Sequence, residues 1–179
     1  DLEIELASRI DVDPARLIVT AGADDALERI IRATLEPGRE MLVPTPTFGM
    51  IPRYAKLVGA DIRTVAWDQG KFPLEEMLAS IRSETALITL VTPNSPTGLT
   101  LSPEDLEAIS KAAPSTVILV DLAYIEFADL DLTKYALALP NVVITRTFSK
   151  AWGMAGLRVG WAAGPKDVID WMKVTGHPY

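Results

Sequence analysis

Val142-Val143-Ile144-Thr145-Arg146-Thr147-Phe148-Ser149-Lys150-Ala151-Trp152-Gly153-Met154-Ala155-Gly156-Leu157-Arg158-Val159-Gly160 is the stretch that decides how the rest of the chain is read. Its first residues form an apolar run, which predicts a buried strand over Val142 to Arg146. A lysine taken alone is an ordinary surface residue. Lys150 is different in context, because a lysine at the end of a buried strand is expected to be partly desolvated. Desolvation lowers an amine's pKa and makes it a usable nucleophile. The glycines and alanines that follow leave room for a large planar group to approach the backbone. Hydroxyls at Thr147 and Ser149 and a cation at Arg158 suit an anion such as a phosphate. Together these residues fit a lysine that forms a Schiff base with a phosphorylated aldehyde, pyridoxal 5′-phosphate.

Outward from this stretch, short apolar strands alternate with segments of helical period. Strands are predicted at Leu17 to Thr20, Met41 to Val43, Ile62 to Ala66, Ala86 to Val91, Thr116 to Asp121 and Val159 to Ala163. Between them, helices are predicted at Asp24 to Thr34, Phe48 to Val58, Leu74 to Arg82 and Pro165 to Lys173. Leu27, Ile30, Ile31 and Thr34 share one face of the first of these, while charges such as Glu28, Arg29, Glu104 and Asp105 read as solvated faces. Ser102 followed by Pro103 marks another helix start, with a hydroxyl at the cap and proline at the first helical position. The alternation predicts an α/β fold, a three-layer α/β/α arrangement around a mostly parallel sheet. Ligands in such sheets bind beyond the carboxyl ends of the strands. Each motif considered below follows a predicted strand.

Composition narrows the function classes. The chain has 179 residues, 49% of them hydrophobic and none of them cysteine, with a net charge of −7. That content argues for a folded domain with a real core. No basic cluster marks a nucleic-acid partner, and no disulfide frame or thiolate metal site can form. No metal cluster is apparent. The lack of cysteine fits a cytoplasmic protein, and the apolar runs are strand-length and too short to span a bilayer. The single histidine, His177, reads as a loop residue. Asp1 opens directly into Leu2 to Ile10, an amphipathic helical pattern, and the chain stops in a turn-like stretch. An excerpt of a longer protein is expected.

Further motifs point the same way. Gly22-Ala23-Asp24 follows a strand and opens a helix, where backbone N–H groups and the helix dipole favour a phosphate; a glycine turn with an Asp cap is the alternative. Phe48 follows a Pro-Thr-Pro-Thr turn and is either a core aromatic or a stacking platform. Asp121 ends an almost purely apolar strand, so its carboxylate must be paired. It is either a helix cap or the anion facing a protonated ring nitrogen. Pro93-Asn94-Ser95-Pro96-Thr97-Gly98 is on its own a turn.

In this order and spacing, these motifs resemble fold-type I pyridoxal-phosphate aminotransferases, and among them the histidinol-phosphate aminotransferase branch. Asp121-Leu122-Ala123-Tyr124-Ile125-Glu126-Phe127 and Pro46-Thr47-Phe48-Gly49-Met50 carry the branch resemblance. It implies a single large cofactor-binding domain over 1–179, with a small carboxy-terminal domain and an amino-terminal arm outside it. It implies that Lys150, Asp121 and Tyr124 are catalytic, and that Gly22, Ala23, Asp24, Phe48, Thr147, Ser149 and Arg158 bind the cofactor. The family's asparagine, placed immediately before Pro-Thr-Gly, is replaced here by Ser95, with Asn94 one residue earlier; either is a candidate for the cofactor's phenolic oxygen. Leu122 stands where the family usually has an acid, and Phe48 where the branch more often has tyrosine. The implied activity is transfer of an amino group from histidinol phosphate or a related donor to 2-oxoglutarate, in a homodimer. An aromatic amino-acid aminotransferase, a threonine-phosphate decarboxylase and a non-catalytic regulatory domain of the same fold are the alternatives.

Overall fold

The computed structural model describes residues 1–176; His177 lies outside them. Among the described residues, seven strands form one sheet: β1 (Leu17–Thr20), β2 (Glu40–Thr45), β3 (Asp61–Ala66), β4 (Thr85–Val91), β5 (Val117–Asp121), β6 (Val142–Thr147) and β7 (Gly160–Ala163). Their order is β1-β7-β6-β5-β4-β2-β3. β7 runs antiparallel to both of its neighbours, and every other pair is parallel. Two antiparallel steps cancel, so β1 points the same way as β6. The carboxyl ends of β1, β2, β4, β5 and β6 therefore share one edge with the amino end of β7.

Successive strand residues face opposite sides of a sheet, and here both sides are apolar. Ile18, Met41, Leu119 and Val143 face one layer, formed by α2 (Gly22–Thr34), α3 (Met50–Leu57) and α7 (Lys166–Thr175). Leu17, Leu42, Ile118 and Val142 face the other. That layer is built by α1 (Leu2–Ile10), α4 (Leu74–Ser80), α5 (Pro103–Ala112) and α6 (Thr133–Leu137). This is the expected three-layer α/β/α fold. Each fully buried Leu or Ile side chain contributes about 1.5–3 kcal/mol relative to exposure. Because both faces are covered, the central strands read as continuous apolar runs in the sequence.

Local signals set the helix starts. Ser102 Oγ accepts from Asp105 N at 3.1 Å, and Pro103 opens α5. Asp1 caps α1 by accepting from Glu3 N at 3.0 Å. α2 begins two residues earlier than expected, at Gly22, and α3 begins at Met50 rather than Phe48. α6 was not anticipated, because its five residues are too few to display a helical period. Arg29 corrects the reading of a solvated face: it is 4% exposed, and its Nε lies 2.8 Å from the Asp25 carboxylate one turn back.

Candidate functional site

The loops at the carboxyl edge enclose a cavity of about 200 Å³. One side of it is fixed by sheet register. Gly160, the first residue of β7, pairs with Thr20 of β1 on one side and Thr147 of β6 on the other. This row sets the turn after β1 beside the loop after β6. A Cβ at residue 160 would lie 2.4 Å from Gly22 C and 2.7 Å from Ala23 N. Only glycine lets the start of α2 seat there. Gly22 itself has φ +81°, a left-handed conformation, and a Cβ on it would lie 2.7 Å from an Arg158 terminal nitrogen.

Ala21 occupies the cap position of α2 and offers no side chain to the first-turn N–H groups. Its own N–H donates to Asp25 Oδ2 at 2.9 Å, and the expected Asp cap at Asp24 is not formed. Arg158 donates to Ala21 O at 3.3 Å and to Ser149 Oγ at 3.5 Å, and lies 4.0 Å from the Asp24 carboxylate. Its side chain is 53% exposed, so these partners hold it loosely. Ser149 N donates to Thr147 Oγ1 at 3.1 Å, curling the loop toward the same corner. A helix N-terminus, two hydroxyls and a guanidinium thus converge from elements far apart in sequence, the composition of an anion cradle.

Asp121 forms the floor. It is 3% exposed at the carboxyl end of β5. Oδ1 accepts from Thr145 Oγ1 at 2.9 Å and from Ala123 N at 3.2 Å. Thr145 is its register partner on β6. Both bonds fall on one oxygen, which leaves Oδ2, among the described residues, for a donor in the cavity. Burial pushes the carboxyl up to about 6, against the two hydrogen bonds and nearby Lys150, which pull it down; Asp24 adds to the rise. A buried carboxylate under this strain is suited to a cationic N–H partner.

Lys150 lines the same cavity, its Nζ 5.1 Å from the centre of the Tyr124 ring. The expectation of a desolvated lysine at a strand end is corrected on both counts. Lys150 lies three residues past β6 and is an exposed residue. The loop turns back on itself there, with Gly153 N donating to Lys150 O at 3.0 Å and Met154 N to Phe148 O at 3.0 Å. Phe48 is half-buried, packs on the core and also lines the cavity.

Asn94 and Ser95 separate. Asn94 is 4% exposed and spends its side-chain amide on Pro46 O at 2.9 Å and Thr97 Oγ1 at 2.8 Å, outside the cavity. Ser95 lines the cavity. The assignment of Asn94 to the cofactor is therefore corrected: its side chain pins the turn that presents Ser95. Thr145, Leu27 and Ala155 were missed. The first shows only through strand register, and the others are apolar residues with no chemical mark. The set fits pyridoxal phosphate: an anion cradle, a flat aromatic wall, a buried carboxylate with one open oxygen and an amine share one cavity.

The family Aminotransferase class I and II matches residues 1–179. Histidinol-phosphate aminotransferase 2 of Oceanobacillus iheyensis is 33% identical over 185 residues, covering 100% of this chain and 51% of that protein. Histidinol-phosphate aminotransferase 1 of Thiobacillus denitrificans is 36% identical over 183 residues, covering 99% and 48%. The chain spans about half the length of the curated relatives it matches. Among solved structures, the histidinol-phosphate aminotransferase of Sinorhizobium meliloti in complex with pyridoxal-5′-phosphate superposes with a TM-score of 0.88 at 28% identity, covering 97% of this chain and 49% of that one. With its fold, its cavity and its matched length in agreement, the chain belongs to the class I and II aminotransferases, and its likeness falls on their histidinol-phosphate branch.

Proposed function

We propose that this chain is the large, cofactor-binding domain of a pyridoxal-phosphate-dependent aminotransferase, and that the complete protein moves an amino group from histidinol phosphate to 2-oxoglutarate. One observation carries the reading: a buried carboxylate with an open oxygen, Asp121, and an amine, Lys150, line one cavity at the carboxyl edge of the sheet. The bound cofactor supplies a carbonyl that condenses with amines and a ring that accepts the electrons left when a substrate carbon loses its proton.

The chain's residues divide the remaining work. Lys150 Nζ would be the amine that holds the cofactor and, when free, the group that takes up and returns the donor carbon's proton. Asp121 Oδ2 accepts the ring nitrogen's N–H and keeps that proton in place. The Tyr124 hydroxyl donates to the phenolic oxygen, with Ser95 as a second donor. Phe48 stacks on the ring. The α2 N-terminus at Gly22, Ala23 and Asp24, with Thr147, Ser149 and Arg158, holds the phosphate. Arg158 suits this task through its planar fork of donors.

The names of the relatives support histidinol phosphate as the donor. Its phosphate requires a second anion site, because Arg158 is committed to the cofactor. The same likeness supports a cytoplasmic homodimer with an arm and a small domain outside this chain. Among the described residues, no helix is long and apolar enough to cross a membrane. The test compares kcat/KM of the complete protein for histidinol phosphate, phenylalanine and phosphothreonine. Histidinol phosphate is expected to lead. A tenfold lead for phenylalanine, about 1.4 kcal/mol in transition-state binding, replaces the reading with an aromatic aminotransferase.

A further inference from the structure

The loop that carries Lys150 is closed by backbone bonds, but those bonds do not fix where it sits relative to Tyr124. Tyr124 precedes the single turn Ile125–Phe127 that follows β5, whereas Lys150 belongs to the loop after β6. Three side chains join the two segments. Trp152 Nε1 donates to Glu126 Oε1 at 3.1 Å. Arg146, on β6, donates through Nη2 to the same oxygen at 2.7 Å. Arg146 Nη1 donates to Thr133 Oγ1 at 2.9 Å and to Asp131 Oδ2 at 3.2 Å. Its guanidinium lies 5.8 Å from the centre of the Trp161 ring on β7.

The Arg146 and Glu126 side chains are only 14% and 19% exposed although the Glu126 backbone is open, which lifts the pair above an ordinary surface ion pair; Trp152, 56% exposed, joins it from the surface. Trp152 also meets the Phe148 ring edge-on, with centroids 6.1 Å apart. Glu5 and Arg9 of α1 border the same groove but are paired with each other at 2.8 Å. The group is thus closed on itself and lies two residues past a cavity-lining side chain in each segment: it holds Tyr124 through Glu126, and Lys150 through Trp152.

We infer that the Arg146–Glu126–Trp152 network is a positioning device that sets Lys150 against Tyr124, with Glu126 its central residue. The inference rests on the proposed cofactor site and deepens it. None of the three residues lines the cavity, so they act through Tyr124 and Lys150 as positioning residues. A displacement of about 1 Å between reacting groups can cost on the order of 100-fold in rate, which is the scale a loosened network reaches.

The test uses the complete protein loaded with pyridoxal phosphate. Trp152→Phe keeps the ring and removes the N–H; Glu126→Ala removes the shared acceptor; Glu107→Gln, in an exposed pair on α5, is the control. Three readouts are taken: the pH midpoint of the bound cofactor's visible absorbance, amide hydrogen exchange over 124–127 and 148–154, and kcat against KM. Both network variants should raise the midpoint by on the order of half a unit. A Tyr124 hydroxyl that donates less well leaves more negative charge on the phenolic oxygen and so raises the proton affinity beside it. Exchange should quicken in both segments together, and kcat should fall roughly 10- to 100-fold with KM nearly unchanged. Glu107→Gln should match the wild type throughout. If Glu126→Ala misfolds, Trp152→Phe decides alone, since it keeps the Arg146–Glu126 pair. A wild-type midpoint and exchange pattern in Trp152→Phe overturns the inference even if melting temperature falls. Borohydride labelling of the wild type at a residue other than Lys150 would instead overturn the underlying site, so the two failures are distinguishable.

Discussion

Asp121→Asn should make the cofactor-free protein more stable and the cofactor-loaded protein less stable. The substitution keeps the shape and an oxygen able to accept from Thr145 Oγ1 and Ala123 N, and removes only the charge. In the cofactor-free fold that charge is a burden. Burial raises the carboxyl from 3.8 to about 6. At about 1.4 kcal/mol per pH unit, keeping it ionised at neutral pH costs on the order of 3 kcal/mol. The sign follows from linkage: the native state binds the proton more tightly than the unfolded chain, so stability falls as pH rises from about 4 to about 6 and the full cost remains above 6.

The variant lacks this cost. It should match the wild type near pH 4 and exceed it above pH 6, at about 2–4 °C of melting temperature per kcal/mol for a domain of this size. Cofactor reverses the order. A protonated ring nitrogen against Oδ2 supplies the missing partner, and breaking such a buried pair costs about 3–5 kcal/mol. The assay is a pair of melting series from pH 4 to 8, with and without pyridoxal phosphate, together with cofactor titrations. If the cofactor-free variant gains nothing above pH 6, Asp121 is not a strained charge. If the loaded variant melts and binds like the wild type, Asp121 is a structural acceptor for Thr145 and not the ring partner.

Three further outcomes follow from the same geometry. Lys150→Ala should abolish borohydride-fixed labelling and lower turnover by many orders of magnitude, while melting within about 0.5 kcal/mol of the wild type, as surface substitutions do; peptide mass mapping checks the label. Gly160→Ala should weaken cofactor binding by more than it lowers melting temperature, because its Cβ would meet Gly22 C at 2.4 Å and force the start of α2 away from the cradle; equilibrium titration with pyridoxal phosphate measures this. Arg158→Lys should lose cofactor affinity at unchanged stability, since an ammonium lacks the planar fork and the native side chain is 53% exposed; dialysis against phosphate buffer reports the faster loss.

The sequence revealed most where burial is most uniform. β5 and β6 are covered on both faces, so Val117 to Asp121 and Val142 to Arg146 stand out as apolar runs, and the chemistry-bearing residues follow them directly. Short or singly contacted elements left weaker marks. α6 has too few residues to show a period. Arg29 read as a surface charge because the pattern cannot show that Asp25 one turn back neutralises it in a buried position. Thr145 was invisible for a related reason: its bond to Asp121 exists only through strand register, and a threonine in a strand is ordinary. Asn94 misled because an amide near a turn has two uses, and here backbone carbonyl and hydroxyl partners claim it first.

The assembly of the anion cradle depends on the one strand whose direction the alternating pattern did not reveal. A seventh strand running parallel to β6 would start at the opposite edge of the sheet and carry Arg158 away from Lys150. Because β7 is antiparallel, its amino end returns to the edge where β6 finishes, and Arg158 lies two residues before that start. Because β1 is antiparallel to β7 in turn, Gly22 arrives at the same corner from the other side. A one-residue slip of β7 would replace Gly160 by Trp161 in the row between Thr20 and Thr147, where even a single added carbon has no room. The glycine thus fixes the register and the register fixes the cradle, so the same contact that lets the sheet close against α2 also brings guanidinium, hydroxyls and helix N-terminus together.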